Sequence, residues 1–199
     1  LKVPISPSAT RDRAALRLVD AEAYDAYLRG RDALSTGDAA RAAQFFEIAI
    51  RTDPGSIDAQ AALAEVLYLE AVFESRFAYS SVQSRMRQAA EEASTADPDL
   101  ATAQLAMGLS APTIHDALGS VRRAIELDRS FTNAHLAVAD MLRDVDPARA
   151  IRFARRAAQL DPSQPLAMYY EAAAYLAMDQ YAESLAIVAR GQALAPAAP

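Results

Sequence analysis

Apolar residues fall along this chain in short amphipathic bursts separated by polar breaks. The clearest burst is 39–52, where Ala42, Phe45, Phe46, Ala49 and Ile50 share one face at the helical period of 3.6. The preceding burst, 23–35, reads as a first helix in which Ala26 and Gly30 leave room for a neighbour to approach closely. Ser35-Thr36-Gly37-Asp38 is the turn between the two, and Asp53-Pro54 closes the unit. The pair then recurs. First helices are expected at 58–72, 100–109, 133–143 and 165–178, and second helices at 81–95, 116–127, 147–160 and 180–194. Alternation of valine, isoleucine and threonine at strand period is nowhere sustained, so the fold class is all-α.

A helix-ending motif, Ala-x-x-x-Asp-Pro, marks the recurrence at 49–54, 93–98 and 157–162, with Arg129 replacing proline at 124–129 and a decayed form at 191–196. Its aspartate position runs 53, 97, 128, 161 and then Ala195, so the steps are 44, 31, 33 and 34 residues. Proline cannot continue a helix, so it separates one hairpin from the next. The long step places about ten extra residues around 73–80, read as longer helices and a wider turn. The short step reflects Pro112 cutting off a first helix. Start signals agree with this phase: Asp20, Asp38 and Asp179 as N-caps, Pro147 at the first helical position, and Thr113 three residues before Asp116. A hairpin of this size cannot bury its own apolar face, so the units must stack.

Residues 1–20 stand apart. Pro4 and Pro7 lie in an extended linker, and 11–19 form a short helix whose Leu16 and Leu18 can cover the first unit. The remaining residues, 21–199, divide into repeats at about 23–56, 57–98, 99–129, 130–162 and 163–196.

These residues resemble the tetratricopeptide repeat family. The first unit keeps Gly30, Ala42, Phe46, Ala49 and Pro54 of that pattern, and the third keeps Met107-Gly108, Ala117, Val121 and Ala124. The fourth keeps Val138-Ala139, Ala150, Ala154, Ala157 and Pro162, and the fifth departs at Ser184 and Gly191. The resemblance implies a right-handed superhelical solenoid of about five helix-turn-helix units that binds protein segments and does no chemistry. A narrower likeness lies in 19–31, VDAEAYDAYLRGR, which resembles the opening of repeat regions in bacterial multidomain regulators. In those, the repeats follow a TolB-like, kinase, cyclase or winged-helix module. That likeness implies a signalling regulator with its output domain elsewhere.

In the family, one face of each first helix lines a concave groove that receives extended peptides. Carried over by phase, the lining is Tyr24, Tyr27, Arg31 and Leu34, then Asp58, Ala61, Glu65 and Tyr68, then Thr102, Leu105 and Leu109. Asn133, Leu136, Asp140 and Arg143 follow, and Leu166, Tyr169 and Ala173 complete it. Tyrosines suit such a surface because they bury large areas with few rotors. Tyr24 and Tyr27 have an alternative role, packing beneath the N-terminal helix. The Lys and Asn carboxylate clamp of chaperone-binding relatives is absent, because Tyr27, Arg31, Ala61 and Glu65 stand at its positions. The mixed acidic and apolar lining suits an apolar or partly basic segment.

About a quarter of the residues are alanine, the strongest helix former, so the core rests on close helix contacts rather than large side chains. The net charge of −6 argues against a nucleic-acid surface. The arginines at 122–123, 152, 155–156, 85 and 87 belong to second helices, whose outer face is solvated. No apolar run reaches the ~18 residues needed to span a bilayer; the expected location is cytoplasmic, or periplasmic for an excised fragment. There is no cysteine. His115 and His135 lack the converging ligands of a metal site, and His135 takes a packing position. With six glycines and no nucleophile or phosphate-loop motif, no catalytic residue, metal or cofactor is assigned. The last helix, carrying Leu185, Ile187, Val188 and Leu194, has no polar capping helix after it. Self-association through this end, or contact with another domain of the same regulator, is the alternative to groove binding.

Overall fold

The structure, a computed structural model, describes residues 20–74, 76–162 and 164–194. The linker and helix expected at 1–19, and the decayed motif from residue 195 onward, lie outside the described residues. The described residues form ten α-helices and no strand. In chain order they are α1 (Ala21–Ser35), α2 (Ala39–Thr52), α3 (Ile57–Glu74), α4 (Arg76–Ala96) and α5 (Ala101–Leu109). There follow α6 (Ile114–Leu127), α7 (Thr132–Leu142), α8 (Pro147–Leu160), α9 (Pro165–Ala177) and α10 (Tyr181–Leu194). Each odd-numbered helix packs against the even-numbered helix after it, and each even one against the next odd one. Contacts of α1 with α3, α3 with α5 and α7 with α9 bring the odd helices together as an inner layer. The result is a helical solenoid.

The caps explain where helices begin. Asp20 accepts from the amides of Glu22 and Ala23 at 3.0 and 3.1 Å, Asp38 from Arg41 at 3.1 Å, and Asp146 from Arg149 at 3.1 Å. Thr113 Oγ1 accepts from Asp116 N at 3.2 Å, capping α6, and donates to Asp116 Oδ2 at 2.7 Å. Two expectations are corrected. Asp179 does not cap α10: it takes the left-handed turn position, φ 58°, and Gln180 precedes the helix. The extra residues of the second unit lengthen both helices, which end at Glu74 and restart at Arg76, so they make no wide turn.

The recurring aspartate has its own reason. Asp53, Asp97 and Asp128 each accept, through Oδ1, the amide two residues on, at 3.0, 3.0 and 2.8 Å. Their carbonyls also accept from Ser56, Leu100 and Phe131. Six residues beyond the proline position, a side chain then donates back to that position's carbonyl. Gln60 bonds Pro54 O at 2.9 Å, Gln104 bonds Pro98 O at 2.9 Å, and His135 Nε2 bonds Arg129 O at 3.2 Å. Met168 holds the fourth place and cannot donate.

His135 is therefore more than a packing residue. Its ring lies 5.9 Å from that of Phe153, and the bond to Arg129 O places the proton on Nε2. Burial, chiefly, holds its pKa below the ordinary imidazole value of 6.5, with Arg156 acting the same way and the Arg129 carbonyl and Asp128 opposing. The neutral form is thus favoured by folding. Its contribution is complete above pH 6.5 and declines as pH falls toward the lower folded value, because the unfolded chain then takes up the proton first. His135→Gln, which supplies the amide found at Gln60 and Gln104, is expected to hold stability at pH 7.5 within about 1 kcal/mol. It should also flatten this acid slope, as read by urea denaturation across the pH range.

The core is built from small residues. Ala59, Ala103, Ala134 and Ala167, at one equivalent position in α3, α5, α7 and α9, are at most 1% exposed. At Gly30 a Cβ would stand 2.5 Å from Phe46 Cε1, and at Gly108 a Cβ would stand 2.4 Å from Val121 Cγ2. Hydrogen is the only substituent that fits there. On the outer face, Arg123 pairs with Asp99 at 3.0 Å and Glu126 at 3.4 Å, both exposed. Arg155 and Arg190 converge at 2.7 and 3.3 Å on the buried carboxylate of Glu171.

Candidate binding groove

Counting from the helix-ending position, three positions of each odd helix face inward, and each forms a rung through the array. The first rung is Tyr24, Asp58, Thr102, Asn133 and Leu166; the second is Tyr27, Ala61, Leu105, Leu136 and Tyr169. The third, Arg31, Glu65, Leu109, Asp140 and Ala173, runs basic, acidic, apolar, acidic, small. The structure gathers parts of all three into one concavity of 590 Å³, a size within the range of ligand clefts. Arg31, Leu34, Glu65, Tyr68, Leu105, Leu109, Asn133, Leu136 and Leu166 line it, so all five units contribute.

The concavity is this compact because α5 is short. It has nine residues against eighteen in α3, and its buried Ala103, Ala106 and Gly108 let the neighbouring helices pack close to it. Side chains of α3 therefore reach over it to α7. Asn133 Nδ2 donates to Glu65 Oε1, and the Tyr68 hydroxyl donates to Asp140 Oδ2. Asp140 also pairs with Arg143 at 3.2 Å, and Arg143 reaches Asp144 at 3.2 Å. These bonds fix the walls and consume part of the polar lining.

The charges are tuned by the same packing. Burial raises the Glu65 carboxyl above its ordinary 4.5, while Arg31 and the Asn133 bond pull it back. Burial likewise raises the Tyr27 and Tyr170 hydroxyls. At Arg143 burial lowers the pKa, but Asp140 and Asp144 outweigh it and the net shift is upward. Of the charged side chains at the wall, Glu65 and Asp161 are acidic and Arg31 is basic.

Not every expected residue lies in the concavity. Tyr24 is 51% exposed and stacks on Tyr27, whose ring packs on Phe46 at 5.9 Å and whose hydroxyl accepts from Arg31 at 3.4 Å. Those two tyrosines combine a packing role with a place at the mouth. Asp58 is exposed on the first turn of α3. Asp140 and Arg143 form the wall network behind Tyr68. Tyr169 is 52% exposed and meets Tyr170 edge-on at 5.3 Å, and it is Tyr170 that lines the concavity. Sequence reasoning also missed Leu69, Asp161 and Gln164 ahead of α9, and Pro165 at its start. A turn enters the groove only because the array curls, and no local pattern signals that. Among the described residues no three His, Cys, Asp or Glu side chains come close enough to hold a metal ion, and no helix is long and apolar enough to cross a membrane.

Layered hairpins around one concave wall define a helical-repeat protein, and known structures agree. No family model matches the sequence, and no curated protein matches it. Among solved structures, TTC0263, a thermophilic tetratricopeptide repeat protein of Thermus thermophilus, superposes with TM-score 0.71. It is 16% identical over 88% of this chain and 92% of its own. YrrB, described as a tetratricopeptide repeat protein with an unusual peptide-binding site, gives TM-score 0.51 at 17% identity, over 95% of this chain and 93% of its own. MamA (41-end) from Desulfovibrio magneticus gives 0.53 at 12% identity, over 88% and 96%. The fold is that of the tetratricopeptide repeat proteins.

Proposed function

We propose that this chain is a non-catalytic binding module whose concavity holds a short extended segment of a protein partner. The observation that carries this reading is the single 590 Å³ concavity to which all five units contribute. Its walls of Leu34, Leu105, Leu109, Leu136 and Leu166 offer apolar burial, and Glu65 and Asp161 outnumber Arg31. That lining favours an apolar segment carrying one basic side chain. The bonds from α3 to α7 hold the walls before the partner arrives, so little ordering cost remains at binding. YrrB, with the same fold and a peptide-binding site, supports the reading. The likeness of 19–31 to repeat regions of bacterial regulators supports a place beside an output domain.

Selection of short random peptides on the protein tests this. Enrichment of apolar peptides with a single Lys or Arg is expected. The Leu34→Asp/Leu166→Asp double variant, at two half-exposed wall positions, should lose their binding by about tenfold or more, the ~1.4 kcal/mol scale of two spoiled apolar contacts. Selected peptides rich in acid, or a double variant that binds as well as the parent, would overturn the proposal.

A further inference from the structure

Among the described residues, the acidic side chains of the odd helices that are partly or fully buried are Glu65, Asp140 and Glu171. Glu171, with 3% of its side chain exposed, takes Arg155 at 2.7 Å and Arg190 at 3.3 Å. Asp140, at 9%, takes Arg143 at 3.2 Å and the Tyr68 hydroxyl. Glu65 differs from both. Its bond is to a neutral amide, that of Asn133, which donates to Oε1. Among the described residues no cation forms an ion pair with it, and Oε2 accepts no hydrogen bond. Arg31 acts on it only from a distance and donates instead to the Tyr27 hydroxyl at 3.4 Å. Burial accordingly raises the Glu65 carboxyl, with Arg31 and Asn133 opposing. A carboxylate taken from water without a counter-charge is costly to the fold, and such groups gather where a ligand is met.

Its position says what would supply the missing charge. Glu65 lines the concavity together with Tyr68 and Leu69 of α3, Leu105 and Leu109 of α5 and Asn133 of α7. Apolar walls around one carboxylate suit a side chain with a long methylene stem and a cationic tip. The charged groups of the lining are two acids, Glu65 and Asp161, against one base, Arg31, an excess that a single cation cancels. With Oε1 held by Asn133, Oε2 is the oxygen left for an incoming head. An ammonium is a point charge that needs one oxygen, whereas the guanidinium fork gains its advantage from two. We propose that Glu65 is the specificity-determining residue of the concavity and receives the ammonium of a lysine in the bound segment, whose stem lies along Leu105 and Leu109. Asn133 is a positioning residue that holds the carboxylate through Oε1. This rests on the concavity being the binding site, and it adds which side chain is read and by which atom.

A thermodynamic cycle on the whole chain tests the inference, with the tightest lysine-containing peptide from the selection as probe. That peptide is remade with norleucine, which keeps the stem and drops the charge, and again with arginine. Calorimetry then gives the ratio of norleucine to lysine dissociation constants for the parent and for Glu65→Gln. The ratio should fall by about tenfold or more in the variant, the scale of a close charge pair lost. Glutamine still offers Asn133 a carbonyl oxygen, so the wall bond stands. Removing a charge that the fold does not neutralise should leave the melting temperature equal or higher. The arginine peptide should bind the parent more weakly than the lysine peptide. A ratio unchanged in the variant, an arginine peptide as tight as the lysine one, a variant that melts well below its parent, or a selection without lysine peptides would each overturn the inference. An unchanged ratio beside lost binding to Leu34→Asp/Leu166→Asp would overturn it and leave the concavity as the binding site. Peptides indifferent to all of these substitutions would overturn both.

Discussion

Replacing Phe46 with alanine is expected to lower the unfolding free energy by about 3–5 kcal/mol. In a chain of this length that is a fall of roughly 6–20 °C in melting temperature. Phe46 is the largest fully buried side chain among the described residues, 0% exposed, and joins α1 to α2. Its ring meets Tyr27 at 5.9 Å and lies directly against the bare backbone of Gly30. In a core made chiefly of alanine, few neighbours have side chains long enough to refill the space, so the cavity persists and its cost adds to the lost burial. Urea denaturation monitored by circular dichroism measures the effect, and a loss below about 1 kcal/mol would contradict this packing.

Gly30→Leu should destabilise the same hairpin by about 1–3 kcal/mol, or more, from the opposite direction. Leucine is the better helix former by nearly 1 kcal/mol, so propensity alone favours the substitution. Packing decides against it. A Cβ at this site would fall 2.5 Å from Phe46 Cε1 and 2.7 Å from Cδ1, and that ring is fully buried. The two substitutions are coupled through one volume. Gly30→Leu is therefore expected to cost less in the Phe46→Ala background, with an interaction energy of about 0.5–3 kcal/mol. A Gly30→Leu protein that melts like its parent would mean that the assigned repeat phase is wrong.

Both arguments start from features legible in the chain. The helix-ending aspartates set the period, and Gly30 marks the close approach from residue type and spacing alone. Caps at Asp38, Asp146 and Thr113 could be found because each needs only a few residues of local chain. Asp179 shows where local reading stops. As a residue type it suits an N-cap, but α9 ends at Ala177 and its reversal claims the left-handed position for Asp179.

The groove was legible as a set of rungs but not as a shape. Period alone assigned Glu65, Tyr68, Asn133 and Asp140 to the inner face. It carried no sign that Glu65 would bond Asn133, or Tyr68 bond Asp140, two units away. That depends on how far α5 lets α3 and α7 approach, a tertiary distance set by helix length and by small side chains. The same curl brings Asp161 and Gln164 into the wall and turns Tyr170 inward in place of Tyr169. The back-bonding of Gln60, Gln104 and His135 was hidden for a different reason. Glutamine and histidine look unrelated in sequence, and only the shared carbonyl reveals one position.

The measurement that tests the central claim most directly is amide chemical-shift mapping of the isotopically labelled chain, titrated with a selected apolar peptide bearing one lysine. Shifts concentrated on the inner faces of α1, α3, α5, α7 and α9, together with Asp161 and Gln164, are the predicted result. Shifts confined to the outer faces of α2, α4, α6 and α8, with the concave residues unmoved, would contradict it.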